Sequence, residues 1–279
     1  MLLPLSFQAI VDLALSEDLA AGDVTTESCI APGAKAVAHA VARKPMVACG
    51  GAVLARVFEK IDPEHVSFEA HVEEGAFVEW GTRLWSVRGS ARSILMGERT
   101  ALNFVQRMCG VATIARTYVS ALQQGSRTRI IDTRKTTPGH RALERYAVRC
   151  GGAHNHRDNL GSAVLIKDNH IEAAGSISAA IDRAKQNAPH TTKIECEVES
   201  LEGLDEAIAA GADIVLLDNM DTVTVKEAVA RAKGRVFLEA SGGITLERVR
   251  ELSEAGVDAI SVGALTHSAP AADIGLDFE

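Results

Sequence analysis

The sequence predicts an α/β fold with an incomplete parallel α/β barrel in its C-terminal half, and three observations predict it. Beyond Arg129, short apolar runs alternate with helical segments; polar residues follow nearly every run at its C-terminal end; and the stretch from Ala34 to Glu79 is strand-like. Strand–helix alternation implies parallel strands joined by right-handed crossovers. Six strand candidates stand out: RIID, AVLI, KIECEVE, DIVLLD, RVFLEA and AISVGA. A full barrel needs eight, so the barrel is shortened or incomplete. It is favoured over a doubly wound sheet because barrel active sites collect at the C-terminal ends of the strands.

Upstream, the opening MLLPLSFQAIVDLALSEDLA reads as an amphipathic helix. It lacks a basic start and carries Asp12, Glu17 and Asp18, which makes a signal peptide the weaker reading. GDVTT (22–26) is turn-like. Alternation in KAVAHAVAR and VSFEAHVEE marks strands. Gly75, Gly81 and Gly89 punctuate EEGAFVEWGTRLWSVRG as short hairpins. That segment resembles a lipoyl-type hammerhead, but no lysine sits at a hairpin tip, which argues against a carrier domain. Leu95, Leu102, Val105 and Met108 give a helix from Arg92 closed by Gly110. A second helix runs to Gln124, with Gly125 as its cap.

The 279 residues, 47% of them hydrophobic, suffice for one barrel-based unit or two domains. No apolar run approaches the ~20 residues of a membrane helix. Five cysteines without paired spacing (Cys29, Cys49, Cys109, Cys150, Cys196) suggest reduced structural thiols in a cytosol and argue against a metal set. A net charge of −8 argues against general nucleic-acid binding. Yet residues 127–170 carry nine Lys/Arg against four Asp/Glu. Arg141, Arg145 and Arg149 are explained by one helix face, whereas Arg134, Lys135, Arg157 and Lys167 share no helix.

Groups following the strands carry the chemistry: Thr133-Arg134-Lys135; Lys167-Asp168-Asn169-His170; Glu197-Val198-Glu199; Asp218-Asn219; Ser241-Gly242-Gly243; and Gly263 to His267. One such group would be a solvated loop. Six on one rim form a site for a phosphorylated, anionic substrate. Ser241-Gly242-Gly243 precedes a helix, and Gly263-Ala264 ends the next strand, so the last two loops are suited to phosphate. Glu195, Glu197 and Glu199 share one face of a strand whose neighbours are apolar, so this face points into the barrel. Buried carboxylates need cations, and Glu197 with Asp218 suits Mg²⁺. His154, His156 and His170 suggest zinc, but their spacing is irregular and cations surround them, so anion binding is the better reading. Arg99, off the apolar stripe of its helix, reads by itself as a surface arginine.

At this point EDLAAGDVTT, GERTALNFVQRMCGVAT, DTRKTTPGHRALERYAVRCGGAHNHRDNL, IKDNHI, ECEVES, LLDNM, EASGGI and ISVGALTHSAPAADIGLDF resemble the quinolinate phosphoribosyltransferases nearly from end to end. The resemblance implies an N-terminal α/β sandwich domain (1–110, joined by the C-terminal segment 268–279) and an incomplete α/β barrel (111–267). It implies phosphoribosyl transfer from 5-phosphoribosyl-1-diphosphate to quinolinate with loss of CO₂, Mg²⁺ and no organic cofactor, in a cytoplasmic homodimer or assembly of dimers. By motif match, Arg134, His156, Arg157 and Lys167 bind quinolinate, with Arg99 supplied by the partner subunit. Thr133, Lys135, Ser241, Gly242, Gly243, Gly263, Ala264 and His267 fall to phosphoribosyl diphosphate, and Glu197 and Asp218 to the ribose and metal. A molybdate-transport-associated paralogue and a non-catalytic nucleotide-binding regulator are the rival readings. The retained cations argue against the first, and Lys135, Glu197 and Asp218 against the second.

Overall fold

The computed structural model describes residues 3–279. In chain order its elements begin α1 (Gln8–Leu19), α2 (Val24–Cys29), β1 (Lys35–Ala42), β2 (Met46–Val47), α3 (Gly51–Ile61), β3 (Val66–Ala70), β4 (Phe77–Val78), β5 (Arg83–Ser90) and α4 (Ala91–Ser120). They continue β6 (Arg129–Ile131), α5 (Arg141–Cys150), β7 (Val164–Ile166), α6 (Asp168–Ala174), α7 (Ile177–Asn187), β8 (Ile194–Val198), α8 (Leu201–Ala209) and β9 (Ile214–Asp218). The last are α9 (Thr222–Ala232), β10 (Phe237–Ser241), α10 (Leu246–Ala255), β11 (Ala259–Ser261), α11 (Ala264–His267) and β12 (Ile274–Phe278). The chain divides into two compact units: residues 1–116, 135–152 and 264–279, and residues 117–134 and 153–263.

The first unit is built on a four-stranded antiparallel sheet ordered β12-β1-β5-β3. Against it α3 buries Val53, Leu54, Val57 and Phe58, which recur on one helical face. Gly51 opens that helix because a side chain there would strike the buried Trp85 indole, 2.5 Å from a Cβ. The amphipathic helix expected at the start is α1, but it buries only Val11 fully and leaves Leu13 67% exposed. β4 pairs with β2 and β5 with β1 and β3, so EEGAFVEWGTRLWSVRG is not one hairpin. The expected break at Gly110 is also absent, since α4 runs unbroken from Ala91 to Ser120. Gly110 is there for space: a Cβ would lie 1.9 Å from the Pro270 carbonyl oxygen.

The second unit carries all six expected strands as one parallel sheet ordered β6-β11-β10-β9-β8-β7. Consecutive strands are neighbours and β6 joins the far end beside β11, the arrangement of a barrel short of eight strands. A parallel bridge from Ile131 to His154 extends it beyond β6. Each crossover helix from α7 to α10 starts at a side-chain cap: Ser176, Ser200, Asp221 and Thr245 each accept the backbone N–H three residues on. Such caps fix where each helix begins and hold the strand-end loops short. The core is aliphatic, with Ile130, Ile181, Leu204 and Leu217 fully buried.

Candidate active site

The parity of β8 places Glu195 inside the second unit, where it is 3% exposed. Glu197 follows it on the same face, half-buried, and Glu199 lies beyond the strand and is exposed. Glu195 Oε2 lies 2.9 Å from His156 Nε2, and Glu239 Oε2 of β10 lies 3.7 Å from the same nitrogen. Burial disfavours charge on His156, but the Glu195 hydrogen bond and the Glu239 charge outweigh it and raise the imidazole's pKa. Burial, aided by Glu195, pushes the Glu239 carboxyl up to about 8. The environment of the cluster therefore favours a proton on His156 and on Glu239. Glu195 Oε1 and Glu239 Oε1 are buried without a hydrogen-bond partner.

Asp132, fully buried at the end of β6, sets this histidine in place. Its carboxylate accepts the His156 backbone N–H at 2.7 Å and the Asn155 amide at 2.6 Å. Arg157 donates to the Ala163 carbonyl at 3.1 Å. Burial and the neighbouring Arg134 lower its pKa, as expected where cations are gathered. Lys167, after β7, pairs with Glu197. Its backbone N–H donates to His170 Nδ1 at 3.0 Å, so His170 caps the following helix. Among the described residues the three histidines of the zinc alternative do not converge.

At the next strand ends, Asp218 pairs across the sheet with Ser241 and accepts the Asn219 amide at 2.7 Å. Gly242 and Gly243 take φ of 88° and 56°. A Cβ at Gly242 would lie 2.1 Å from Asn219 Oδ1, so only glycine fits this approach of two loops. Arg248 holds the turn by donating to the Gly242 carbonyl at 2.9 Å and to the Met220 carbonyl. The start of α10 is capped by Thr245, which accepts the Arg248 N–H.

In the first unit, Lys135 is exposed and its carbonyl accepts the Thr266 hydroxyl at 2.7 Å, which joins its loop to α11, the helix of Ala264 and His267. A fully buried carboxylate, Glu144, governs that loop. It accepts the Thr137 N–H at 3.1 Å, the Thr137 hydroxyl at 2.8 Å and the Arg107 guanidinium at 2.7 Å. Arg107 also donates to the Ala269 carbonyl at 2.7 Å. Arg99 is exposed on α4.

Thus the second unit groups His156 with Glu195, and Lys167 with Glu197, and aligns Asp218 with Ser241; the first groups Lys135 with the α11 segment. The residue types alone gave no reason to single out Asp132, Glu144 or Glu239. The available signal was a lone acid within or at the end of an apolar strand (RIID, RVFLEA), and for Glu144 an acid on the inner face of α5. Two sets of three possible metal ligands form among the described residues: His156–Glu195–Glu239 and Cys49–Glu74–Cys150. Glu197 and Asp218 belong to neither set. Each offers the hard carboxylate oxygen that Mg²⁺ takes as a ligand.

Two family models cover nearly the whole chain: the quinolinate phosphoribosyl transferase N-terminal domain at residues 23–109 and its C-terminal domain at residues 111–277. A probable nicotinate-nucleotide pyrophosphorylase [carboxylating] of Bacillus subtilis is 42% identical over 94% of this chain and 89% of its own length. A nicotinate-nucleotide pyrophosphorylase [carboxylating] of Mycobacterium leprae is 43% identical over 95% and 94%. Among solved structures, the Francisella tularensis nicotinate-nucleotide pyrophosphorylase has a TM-score of 0.95 and 38% identity, covering 100% of this chain and 98% of that one. No helix among the described residues is long and apolar enough to cross a membrane. With both domain models matched in order and relatives this similar over nearly full length, the chain belongs to the quinolinate phosphoribosyltransferase family.

Proposed function

We propose that this enzyme transfers the phosphoribosyl group of 5-phosphoribosyl-1-diphosphate to the nitrogen of quinolinate, giving nicotinate mononucleotide, diphosphate and CO₂. The observation that carries the reading is the Lys167–Glu197 pair, a cation for a dicarboxylate substrate held beside a carboxylate suited to a ribosyl cation. Arg134, His156, Arg157 and Lys167 bind the two substrate carboxylates, for which bidentate arginines and a protonated histidine suit. Glu195 and Asp132 keep His156 charged and oriented.

Departure of diphosphate leaves positive charge at ribose C1, which Glu197 and Asp218 stabilise from fixed positions. Thr133, Lys135, the Ser241–Gly243 turn, Gly263, Ala264 and His267 take the phosphates. Glu197 and Asp218 would hold Mg²⁺, which would supply charge that offsets the leaving group. Once the ribosyl bond has formed, the adjacent carboxylate leaves as CO₂, its electron pair stays on the ring carbon beside the positive quaternary nitrogen that stabilises it, and that carbon then takes a proton from water. No organic cofactor is needed for that step. Residues 1–110 with 268–279 serve as the domain presenting Arg99 to the barrel (111–267) of a partner subunit in a homodimer.

Purified enzyme given quinolinate, 5-phosphoribosyl-1-diphosphate and Mg²⁺ should release diphosphate and CO₂ in equal amounts. Diphosphate without CO₂, or neither, contradicts the reading.

A further inference from the structure

Cys49, Glu74 and Cys150, remote from one another in sequence, meet in the first unit with one ligand atom from each within 4.8 Å of the others. We propose that they form a binding site for one soft divalent cation of the zinc class, with two thiolates and a carboxylate as ligands and water in the fourth position.

The three come from three kinds of element. Cys49 precedes α3, Cys150 is the last residue of α5, and Glu74 lies between β3 and β4. The carboxylate is fixed as a metal-binding carboxylate usually is, by hydrogen bonds from behind. Gly50 N–H donates to Glu74 Oε1 and Oε2 at 3.0 and 2.9 Å, and Gly51 N–H to Oε1 at 2.8 Å. Outer contacts of this kind orient ligands and tune their basicity. Cys150 Sγ stands 3.9 Å from Glu74 Oε2. A tetrahedral ion with arms of about 2.3 Å to sulfur and about 2.1 Å to oxygen sets that edge at about 3.6 Å, so little movement closes the site.

The neighbouring Cys109 serves the backbone. It accepts the Cys49 N–H and donates to the Cys49 carbonyl, each at 3.2 Å, and so anchors the loop that presents Cys49. Cys49 is buried, Cys150 is half-buried and Glu74 is exposed, so an ion would enter from the Glu74 side. Burial holds the Cys49 thiol well above its ordinary pKa, while hydrogen bonding to Cys49 lowers that of Cys150. Binding releases both thiol protons to solvent and leaves the metal's oxidation state unchanged. Thiolate donors select zinc-class ions over Mg²⁺ or Ca²⁺. The site is therefore separate in chemistry from Glu197 and Asp218.

The test uses the intact, reduced protein stripped with chelator and titrated with Co²⁺. One equivalent per chain should produce near-ultraviolet thiolate-to-cobalt charge-transfer absorption that Zn²⁺ displaces. Cobalt on His156–Glu195–Glu239, or on Glu197 and Asp218, has no sulfur ligand and gives no such band. Cys150→Ser should abolish the band, whereas Cys29→Ser and Cys196→Ser should keep it. Glu74→Gln should weaken binding at least as much as the roughly 10-fold that loss of an outer contact costs. Zn²⁺ should also protect Cys150 of the unaltered protein from alkylation, which needs no variant to fold. Absence of the band, its persistence in Cys150→Ser, or unprotected Cys150 would overturn the proposal.

Discussion

Glu195 Oε2 stands 2.9 Å from His156 Nε2, a carboxylate set against an imidazole with Glu239 close behind. Desolvation alone would discharge His156, and the hydrogen-bonded carboxylate reverses that. A proton on His156 is thereby favoured inside an apolar strand layer, and burial favours one on Glu239 as well.

The His156–Glu239 cluster should make folding stability fall as pH rises from about 5 to about 8, while His140, whose pKa burial lowers, contributes in the opposite sense near its ordinary 6.5. Both His156 and Glu239 have folded pKa values raised above their ordinary 6.5 and 4.5, so the folded state holds extra protons in this window. The His156 contribution is complete below its unfolded pKa and is lost as pH climbs through the raised value. The Glu239 contribution is lost between about 4.5 and about 8. The contribution of these two groups to the slope is negative, at most about 1.4 kcal/mol per pH unit for each retained proton. Glu239→Gln, which mimics the protonated acid, should flatten it. Denaturant midpoints across this range check the sign, and parallel profiles for the two proteins would refute it.

Removing the Glu144 carboxylate should be among the costliest single changes in the first unit. Glu144→Ala leaves Arg107 and Thr137 without their buried acceptor, a loss of about 3–5 kcal/mol. Glu144→Gln keeps the shape and should cost less while loosening the loop that carries Lys135. Urea unfolding gives the stability. The KM for 5-phosphoribosyl-1-diphosphate should rise in the glutamine variant while that for quinolinate changes little.

The shared site proposed for Arg99 predicts complementation. Arg99→Ala and Lys135→Ala should each be nearly inactive as homodimers. In mixed dimers one site takes both defects and the other takes neither. Equal amounts refolded together make half the dimers mixed, so about one quarter of all sites regain activity. No recovery despite confirmed subunit exchange would mean that Arg99 serves its own subunit or none.

The six strands and their polar ends were legible in the sequence because each is a local signal: an apolar run, followed by charged residues or a glycine. Parity gave the inner face of β8 for Glu195 and Glu197 but not for Glu199, which lies beyond the strand and is exposed. What escaped depends on contacts remote in sequence. Gly110 looked like a helix end because its packing against Pro270 leaves no local trace. Glu144 and Glu239 became intelligible only beside Arg107 and His156. Cys49 and Cys150 lacked paired spacing because α5, a separate element, brings one to the other.

The central claim, a site built for a pyridine dicarboxylate, is tested most directly by kcat/KM for quinolinate against nicotinate, each with 5-phosphoribosyl-1-diphosphate. On the proposed reading, removing one carboxylate removes the charge-assisted hydrogen bonds that part of the set Arg99, Arg134, His156, Arg157 and Lys167 would make to it. A site built to hydrogen-bond a substrate group discriminates strongly against an analogue that lacks it, so quinolinate should be favoured by on the order of 10³-fold or more. Comparable values for the two acids would contradict the account.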